Sequence, residues 1–299
     1  MKIYDCITFY NEKMLFELRL NILDKYVHKF VVSESLYSHS GIQKKLNFNL
    51  NDFPKFKDKI IYVVIDKEPV TIQNISDIKD NNKKQMSKRI NSLLREKLSR
   101  EILSKGIIGA DDNDLIMYSD SDEIPNLENI NFNKYQSTIF LFKQLIFYYK
   151  FNLIYDRIIW HGTKACYKKD FISCNWLRNI KNKEYPFWRL DTFFSSNKYT
   201  NIKIIDNGGW HFTKIKTAED IYAHLSNDAH HNEFELSDLN KEKIQNLINQ
   251  RIVYYDHTLS SNNKNKFNSN YQLKKIDLNL LPKYLLENQE KFKDWFDLK

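Results

Sequence analysis

The chain has 299 residues, of which 42% are hydrophobic and 28% are charged, a composition that excludes an intrinsically disordered protein and allows a sizeable core. Its 46 basic and 38 acidic residues give a net charge of +8. This excess favours an anionic partner, such as a nucleic acid, a membrane surface or a phosphorylated small molecule.

Strands and helices are predicted to alternate in the first part of the chain. Apolar segments predict strands over 2–9, 27–35, 59–66 and 114–119. A helix is predicted over about 12–24, with Asn11 as its cap. A longer helix is predicted over 83–104, with an apolar stripe formed by Met86, Ile90, Leu93, Leu94, Leu98 and Ile102. The alternation indicates an α/β fold with a largely parallel sheet flanked by helices, in which ligands lie beyond the carboxyl ends of the strands.

The second half of the chain changes character. Paired aromatic strands are predicted over about 138–160, where polar residues interrupt the apolar run too often for a membrane span. Helical patterns begin near residue 217, a polar linker lies around 262–270, and an amphipathic helix closes the chain. We therefore predict one domain over 1–240 and a helical C-terminal extension over 241–299.

The cysteines and the N-terminal segment indicate the compartment. Cys6, Cys166 and Cys174 form no C-x-x-C pair, so neither a disulfide framework nor a structural zinc site is predicted. The segment MKIYDCITFYNE enters a predicted strand directly, without an apolar signal core. We expect a cytoplasmic protein, with at most a peripheral contact between the closing helix and an anionic membrane.

Three acids are crowded at the end of the fourth predicted strand, in the segment YSDSDEIP. Asp120 and Asp122 point to the same side if the strand geometry persists, whereas Glu123 points away and can orient a neighbour. Two oxygen donors beside a pocket suit Mn²⁺ or Mg²⁺, with phosphate oxygens of a ligand completing the shell. The cation would compensate the like charges of the acids. The alternative is a solvated acidic turn.

Other candidate residues are distant in sequence. Arg89 and Arg178 could each bind a phosphate group, although a solvated surface arginine is the simpler interpretation. In the segment DNGGWHFTK, two glycines permit a close backbone approach, Trp210 offers a ring for stacking, and His211 offers a metal ligand or a base. The alternative there is a tight hairpin with a buried tryptophan. The segment AHHNEF lacks the spacing of a two-histidine zinc site.

Six segments resemble, in this order, glycosyltransferase family 17: IYDCITFYNEKMLFELRLNIL, HKFVVSESLYSHSG, KRINSL, YSDSDEIP, GGWHF and HNEF. The resemblance covers about residues 1–235. It implies a GT-A-type nucleotide-sugar-binding fold, a UDP-sugar donor, with UDP-N-acetylglucosamine by analogy, a divalent metal and inversion at the anomeric carbon. It matches Asp120 and Asp122 to acids that bind the metal and the diphosphate, His211 to a Gly-Trp-His segment, and Glu233 to a His-x-Glu segment.

The implied reaction transfers a sugar to a hydroxyl group of a glycan acceptor. The metal and basic residues would stabilise the departing UDP, while a carboxylate takes the proton of the acceptor hydroxyl. Glu233 and Asp191 are the candidates for this base, and Glu233 is preferred because it lies in a matched segment.

Two other functions would use the same features. A metal-dependent nuclease or nucleotidyltransferase could use the acids, but it would need further carboxylates for a second metal. A nucleic-acid-binding protein could use the charge and the rings. Lysine is spread along the chain rather than clustered, so we expect no nucleic-acid partner. P-loop, dinucleotide-binding and serine-hydrolase motifs are absent from the sequence.

Overall fold

A computed structural model describes residues 1–135, 137–227, 234, 237–259 and 264–298. The strands are β1 (Ile3–Thr8), β2 (Lys29–Ser35), β3 (Ile60–Ile65), β4 (Leu115–Ser119), β5 (Glu123–Pro125), β6 (Ile139–Tyr148), β7 (Leu153–Tyr167), β8 (Ile202–Ile205), β9 (Gly209–Thr213) and β10 (Lys274–Lys275). The α-helices are α1 (Lys13–Leu23), α2 (Asn81–Glu101), α3 (Cys174–Asn179), α4 (Ala218–Asn227), α5 (Lys241–Gln250) and α6 (Lys283–Glu287). Short 3₁₀ helices cover Leu50–Asp52, Pro54–Lys59, Ile102–Ile107, Phe132–Lys134, Lys168–Asp170, Leu190–Thr192, Lys264–Phe267, Leu278–Leu280 and Gln289–Trp295.

The strands form one mixed sheet in the order β3-β2-β1-β4-β7-β6-β9-β5, with β8 beside β6 and β10 beside β7. The first four strands are parallel, as predicted. Strand β7 then runs antiparallel to both β4 and β6, and β5 runs antiparallel to β9. The predicted α/β class with a mixed sheet flanked by helices is confirmed. Beyond the first four strands, parallel pairing recurs only where β6 meets β8 and β9.

Both faces of the sheet are covered around β4, which explains why this strand is buried at every position. In β4, Leu115 and Met117 face a core that is shared with α1, whereas Ile116 and Tyr118 face a second core. This second core is completed by α3 and by the 3₁₀ helix that follows α2. The alternation of side chains along β4 therefore fixes which face of the sheet each neighbouring element covers.

Helix α2 packs differently from its predicted apolar stripe. Met86 and Leu93 are 66% and 44% exposed, while the small polar residues Ser92 and Ser99 are buried. The carbonyl oxygen of Ser99 accepts a hydrogen bond from the Ser33 hydroxyl at 2.7 Å, which attaches the helix to β2. The predicted helix is present, but its apolar stripe is only half-buried, and a polar contact with β2 helps to orient it.

The last part of the chain packs on the core that α1 shares with the sheet, which we call the main core. Instead of one closing helix, α6 is followed by a 3₁₀ helix, with Asn288 in a non-helical conformation between them. Four apolar side chains of this C-terminal segment are buried in the main core, namely Leu281, Leu285, Phe292 and Phe296. The apolar side of this segment is thus unavailable for the membrane contact expected of it. The division at residue 240 stays a prediction.

None of the helices within the described ranges has the length and apolar character needed to cross a bilayer.

Candidate active site

A cavity of about 460 Å³ opens at the carboxyl ends of β1, β2 and β4. This is the position predicted for a ligand of a parallel sheet. The acid turn, which we define as residues 120–123, forms part of its wall through Asp120 and Asp122. The cavity continues from there to an aromatic end near Tyr254 and His257.

The acid turn is fixed from behind by a buried arginine on α1. Arg19 is fully buried and forms a bidentate ion pair with Asp5 of β1, with its Nε 2.6 Å from Oδ2. It also donates to the carbonyl oxygen of Glu123 and, at 2.9 Å, to the hydroxyl of Ser119. Because one guanidinium joins β1, β4 and β5, the backbone on both sides of the turn is held in a single position.

Asp120 is the anionic partner of two arginines. Its carboxylate accepts a hydrogen bond from Arg178 Nη2 at 2.6 Å and lies 3.8 Å from Arg100 Nη2. Tyr118 donates to the same carboxylate at 3.0 Å. Burial opposes ionisation of Asp120, but the two arginines hold its pKa below the usual value. Asp120 is therefore ionised at neutral pH and is bordered by cationic groups.

Asp122 faces His211 across the pairing of β5 with β9. His211 Nε2 lies 3.3 Å from Asp122 Oδ2, and its ring stacks on Trp160 with the ring centroids 4.8 Å apart. Burial lowers the pKa of His211, but Asp122 more than offsets this and the pKa is raised. The reciprocal attraction overcomes the desolvation of Asp122 and lowers the pKa of that carboxyl. Gly209 makes this pairing possible, because its φ is 122° and a Cβ there would lie 2.2 Å from the Ile124 carbonyl oxygen.

Glu123 is the residue of the acid turn whose side chain points away from the cavity, and it is not part of the cavity lining. It is completely buried, and burial raises the pKa of its carboxyl group. One oxygen accepts from Trp160 Nε1 at 2.9 Å and the other from the backbone N–H of Asp120 at 3.0 Å. Glu123 thus fixes the ring against which His211 stacks.

Asp122 of the acid turn and His211 of β9 form a pair of donors that suits two positions of a divalent cation. Among the described residues, no group of three or more His, Cys, Asp or Glu side chains is arranged to hold a metal ion. Asp122 and His211 nevertheless offer one carboxylate oxygen and one imidazole nitrogen to the cavity, 3.3 Å apart. Neighbouring ligands of an octahedral ion with bonds of about 2.1 Å are separated by roughly 3 Å, so two positions can be filled. Asp120 is occupied by its arginines instead.

The other predicted site residues lie elsewhere. Trp210 is buried in the main core, where its Nε1 donates to the Leu280 carbonyl oxygen at 2.7 Å, and it does not line the cavity. Arg89 is exposed on α2 and also lies outside the lining. Asp191 pairs with two basic residues on a surface segment. Glu233 lies outside the described residues, as do the two histidines before it.

Several cavity residues were missed by the sequence analysis. Arg100 lines the cavity from α2, donating to Tyr118 and to Glu96 at 3.1 and 2.6 Å. The signal that could have identified this face of α2 was the small polar pair Ser92 and Ser99, seven residues apart on the helix. Trp160 carried no signal, because its place in the site depends on contacts with the distant residues Glu123 and His211.

Glu12 brings a further charge to the cavity wall. It is buried, accepts hydrogen bonds from the backbone N–H groups of Tyr10 and Asn11, and pairs with Lys216 at 2.9 Å. Desolvation opposes its ionisation, yet Lys216 and His224 lower its pKa to about 2. The predicted cap, Asn11, is thus replaced by Glu12 at the start of α1, where no side chain caps the helix.

The far end of the cavity is aromatic. Tyr148, Tyr254 and Tyr255 line it together with His257. Burial lowers the pKa of His257 to about 4, so its ring is neutral at pH 7. Within the described part of the chain, its Nε2 is buried without a hydrogen-bond partner. A wall of tyrosine rings is suited to a ligand that stacks.

Comparison with known proteins identifies the family. The sequence model that describes glycosyltransferase family 17 matches residues 1–185, which is more than half of the chain. The chain belongs to glycosyltransferase family 17. It is therefore a glycosyltransferase, with a sugar donor and a glycan acceptor as its substrates. The match includes the acid turn, Arg100 and Arg178, and it ends before His211.

Similarity to solved structures is distant. The chain is similar to HddC from Yersinia pseudotuberculosis, with 10% identity, a TM-score of 0.34, and coverage of 69% of this chain and 90% of that one. It is also similar to the inositol-1-phosphate CTP transferase from T. maritima, with 12% identity, a TM-score of 0.30, and coverage of 76% and 96%. The comparison with curated proteins gave no match.

Proposed function

We propose that this glycosyltransferase is a metal-dependent, inverting enzyme that moves a sugar from a UDP-sugar to a hydroxyl group of a glycan acceptor. N-acetylglucosamine is our first candidate for the sugar, and GT-A is our interpretation of the fold type. The observation that carries the proposal is that one cavity is lined both by Arg100 and Arg178, which contact Asp120, and by the pair Asp122 and His211. A cavity of about 460 Å³ is also within the usual size range of small-molecule sites.

The arginines would bind the diphosphate of the donor. Guanidinium groups bind phosphate oxygens through paired N–H donors, and both groups are already oriented by Asp120. Burial strengthens this interaction because the wall has little access to water. Arg100 and Arg178 would therefore stabilise the negative charge that develops on UDP as the sugar leaves.

Asp122 and His211 would hold Mn²⁺ or Mg²⁺. The bound cation would add positive charge next to the leaving diphosphate. For His211 to be a ligand its Nε2, which faces Asp122 Oδ2 at 3.3 Å, must lose its proton to the solvent when the cation binds. Stacking on Trp160 would keep the ring in place during this exchange.

The aromatic end of the cavity would receive the acceptor. Tyrosine rings there can stack on the apolar faces of sugar rings. Of the two predicted bases, Asp191 is ion-paired outside the cavity lining. Glu233 remains our candidate for the group that takes the proton from the attacking hydroxyl.

Nucleotide release from a panel of UDP-, GDP- and CMP-sugars, with Mn²⁺, Mg²⁺ or EDTA, tests the reaction. We expect slow release of UDP from one donor, dependent on metal and lost in Asp122→Asn. Asp206→Asn is the matched control, because this aspartate is exposed and lies outside the cavity lining. Release of GDP or CMP instead, or release that is insensitive to EDTA, would contradict the proposal.

Metal binding can be measured without turnover. Electron paramagnetic resonance of Mn²⁺ should show bound ion in the presence of UDP, with weaker binding in His211→Ala. The same loss in His161→Ala, a histidine on β7 outside the cavity lining, would show that the effect is not specific to the proposed ligands.

A further inference from the structure

A surface segment exposes five large apolar side chains. We define the aromatic segment as residues 185–194, in which every large apolar side chain except that of Tyr185 is at least 66% exposed: Phe187 (80%), Trp188 (66%), Leu190 (72%), Phe193 (75%) and Phe194 (92%). Scattered exposed apolar residues are ordinary, but five within eight positions form a patch of the kind that marks an interaction surface.

The aromatic segment is built on the helix that carries Arg178. Beyond its two ends, the backbone N–H of Lys181 donates to the Asn197 carbonyl oxygen at 2.8 Å, which closes the loop at its base. Trp176 of α3 donates from Nε1 to the Ser196 carbonyl oxygen at 2.9 Å. Polar contacts therefore hold the loop against α3, while its apolar side chains stay outside the cores.

The charge around the aromatic segment selects the partner. Residues 181–198 contain four basic and two acidic residues. Asp191 is neutralised within the loop, because it pairs with Arg189 at 2.7 Å and with Lys198 at 2.8 Å. Lys181 and Lys183 add exposed positive charge next to the rings. The protein has a net charge of +8, and this surface combines exposed Trp, Phe and Leu side chains with bordering lysines. Surfaces of this composition insert shallowly into anionic bilayers.

We propose that the aromatic segment docks the enzyme on an anionic membrane surface. The rings would enter the boundary between headgroups and acyl chains, and the lysines would contact anionic headgroups. Residues 187–194 do not line the cavity, so sugar stacking within the active site does not explain them. Since the loop rests on α3 and Arg178 of this helix reaches the cavity, docking would bring the cavity close to the bilayer. The inference does not depend on the identity of the donor or acceptor.

Sedimentation with vesicles tests the proposal on the full chain. We expect binding to vesicles of phosphatidylcholine mixed with phosphatidylglycerol, weakened by salt, and little binding to phosphatidylcholine alone. The double variant Phe193→Ser/Phe194→Ser should reduce the affinity by at least about tenfold, because it removes two apolar side chains from the inserted surface. Ile108→Ser/Ile159→Ser is the matched control, since these side chains are 81% and 67% exposed elsewhere, and its affinity should be unchanged.

Four results would overturn the proposal. The first is a wild-type chain that binds neither kind of vesicle, and the second is an equal loss of binding in the control variant. A loss of UDP affinity in Phe193→Ser/Phe194→Ser would instead make the segment a lid over the donor. A wild-type dimer that becomes a monomer in this variant would make it a contact between two copies of the chain. Circular dichroism melting of each variant confirms that it is folded, and the single variant Trp188→Ser replaces the double variant if the latter does not fold.

Discussion

Arg178 and Arg89 were predicted from sequence as equivalent candidates, and the structure separates them. Arg178 is half-buried and pairs with Asp120 in the cavity wall, whereas Arg89 is exposed on α2. We expect Arg178→Met to lower the rate of donor cleavage by about 10²-fold or more, because a preorganised cation facing the leaving group is lost. Arg178→Lys should recover only part of this, since an ammonium group lacks the paired donors.

Arg89→Met is the matched control for this prediction. Steady-state rates of UDP release should be unchanged in it. Equal losses in Arg89→Met and Arg178→Met would refute the assignment of the phosphate site to the wall formed by Asp120.

Glu12 makes the stability of the fold dependent on pH. Its folded pKa is lowered to about 2 by Lys216 and His224, against the opposing effect of burial. A carboxyl whose folded pKa is depressed stabilises the protein above its unfolded pKa of about 4.3. This contribution is lost as the pH falls toward 2.

Glu12→Gln should therefore be less stable than the wild type at pH 7, with a difference that shrinks between about pH 4 and pH 2. Urea denaturation across this range measures the effect. Glu184→Gln, at an exposed position, should follow the wild type at every pH. A constant difference between Glu12→Gln and the wild type would mean that packing, not charge, accounts for the contribution of Glu12.

At the scale of elements, Arg19 joins α1, β1 and β5 through a single buried group. Replacing it with methionine would leave Asp5 charged and unpaired in the core. We expect Arg19→Met to lower the free energy of unfolding by about 3–5 kcal/mol. The double variant Arg19→Met/Asp5→Leu should recover part of this loss, because no uncompensated charge remains.

Chemical denaturation provides the measurement, and Arg251→Met is the control. Arg251 pairs with Asp297 near the surface, so its loss should cost about 1 kcal/mol or less. A similar loss of unfolding free energy in Arg19→Met and Arg251→Met would show that burial does not make the Arg19 network more stabilising than a surface ion pair.

A comparison of the predicted and observed strands shows which parts of the fold and of the site can be predicted from the sequence. The strands β1 to β4 were found within two residues, because each is a short apolar run between polar turns. Asp120 and Asp122 were found because they follow such a run directly. The partner of Asp122 was proposed from a separate segment, but its position depends on the register that pairs Glu123 with His211. Trp160 could not be predicted in the same way, because its contacts with Glu123 and His211 join distant parts of the chain.

At the scale of the whole molecule, the C-terminal segment belongs to the main core. Phe292 is 1% exposed and packs against Phe151, whereas Leu298 in the same segment is 81% exposed. Phe292→Ala should lower the free energy of unfolding by about 3–5 kcal/mol, because it leaves a cavity in the core. Leu298→Ala should change it by no more than about 0.5 kcal/mol.

Truncation after residue 240 tests the predicted domain division, because it removes all the side chains that the C-terminal segment contributes to the main core. The main core takes Leu281, Leu285 and Phe292 from the extension, and β10 adds to the edge of β7. Removing 241–299 would expose the apolar surfaces that these groups cover, so we expect an insoluble or protease-sensitive product. A truncated chain that melts cooperatively and still binds UDP would establish 1–240 as an independent domain. Its failure to fold, together with a stable Leu298→Ala variant, would mean that the extension is an integral part of the catalytic fold.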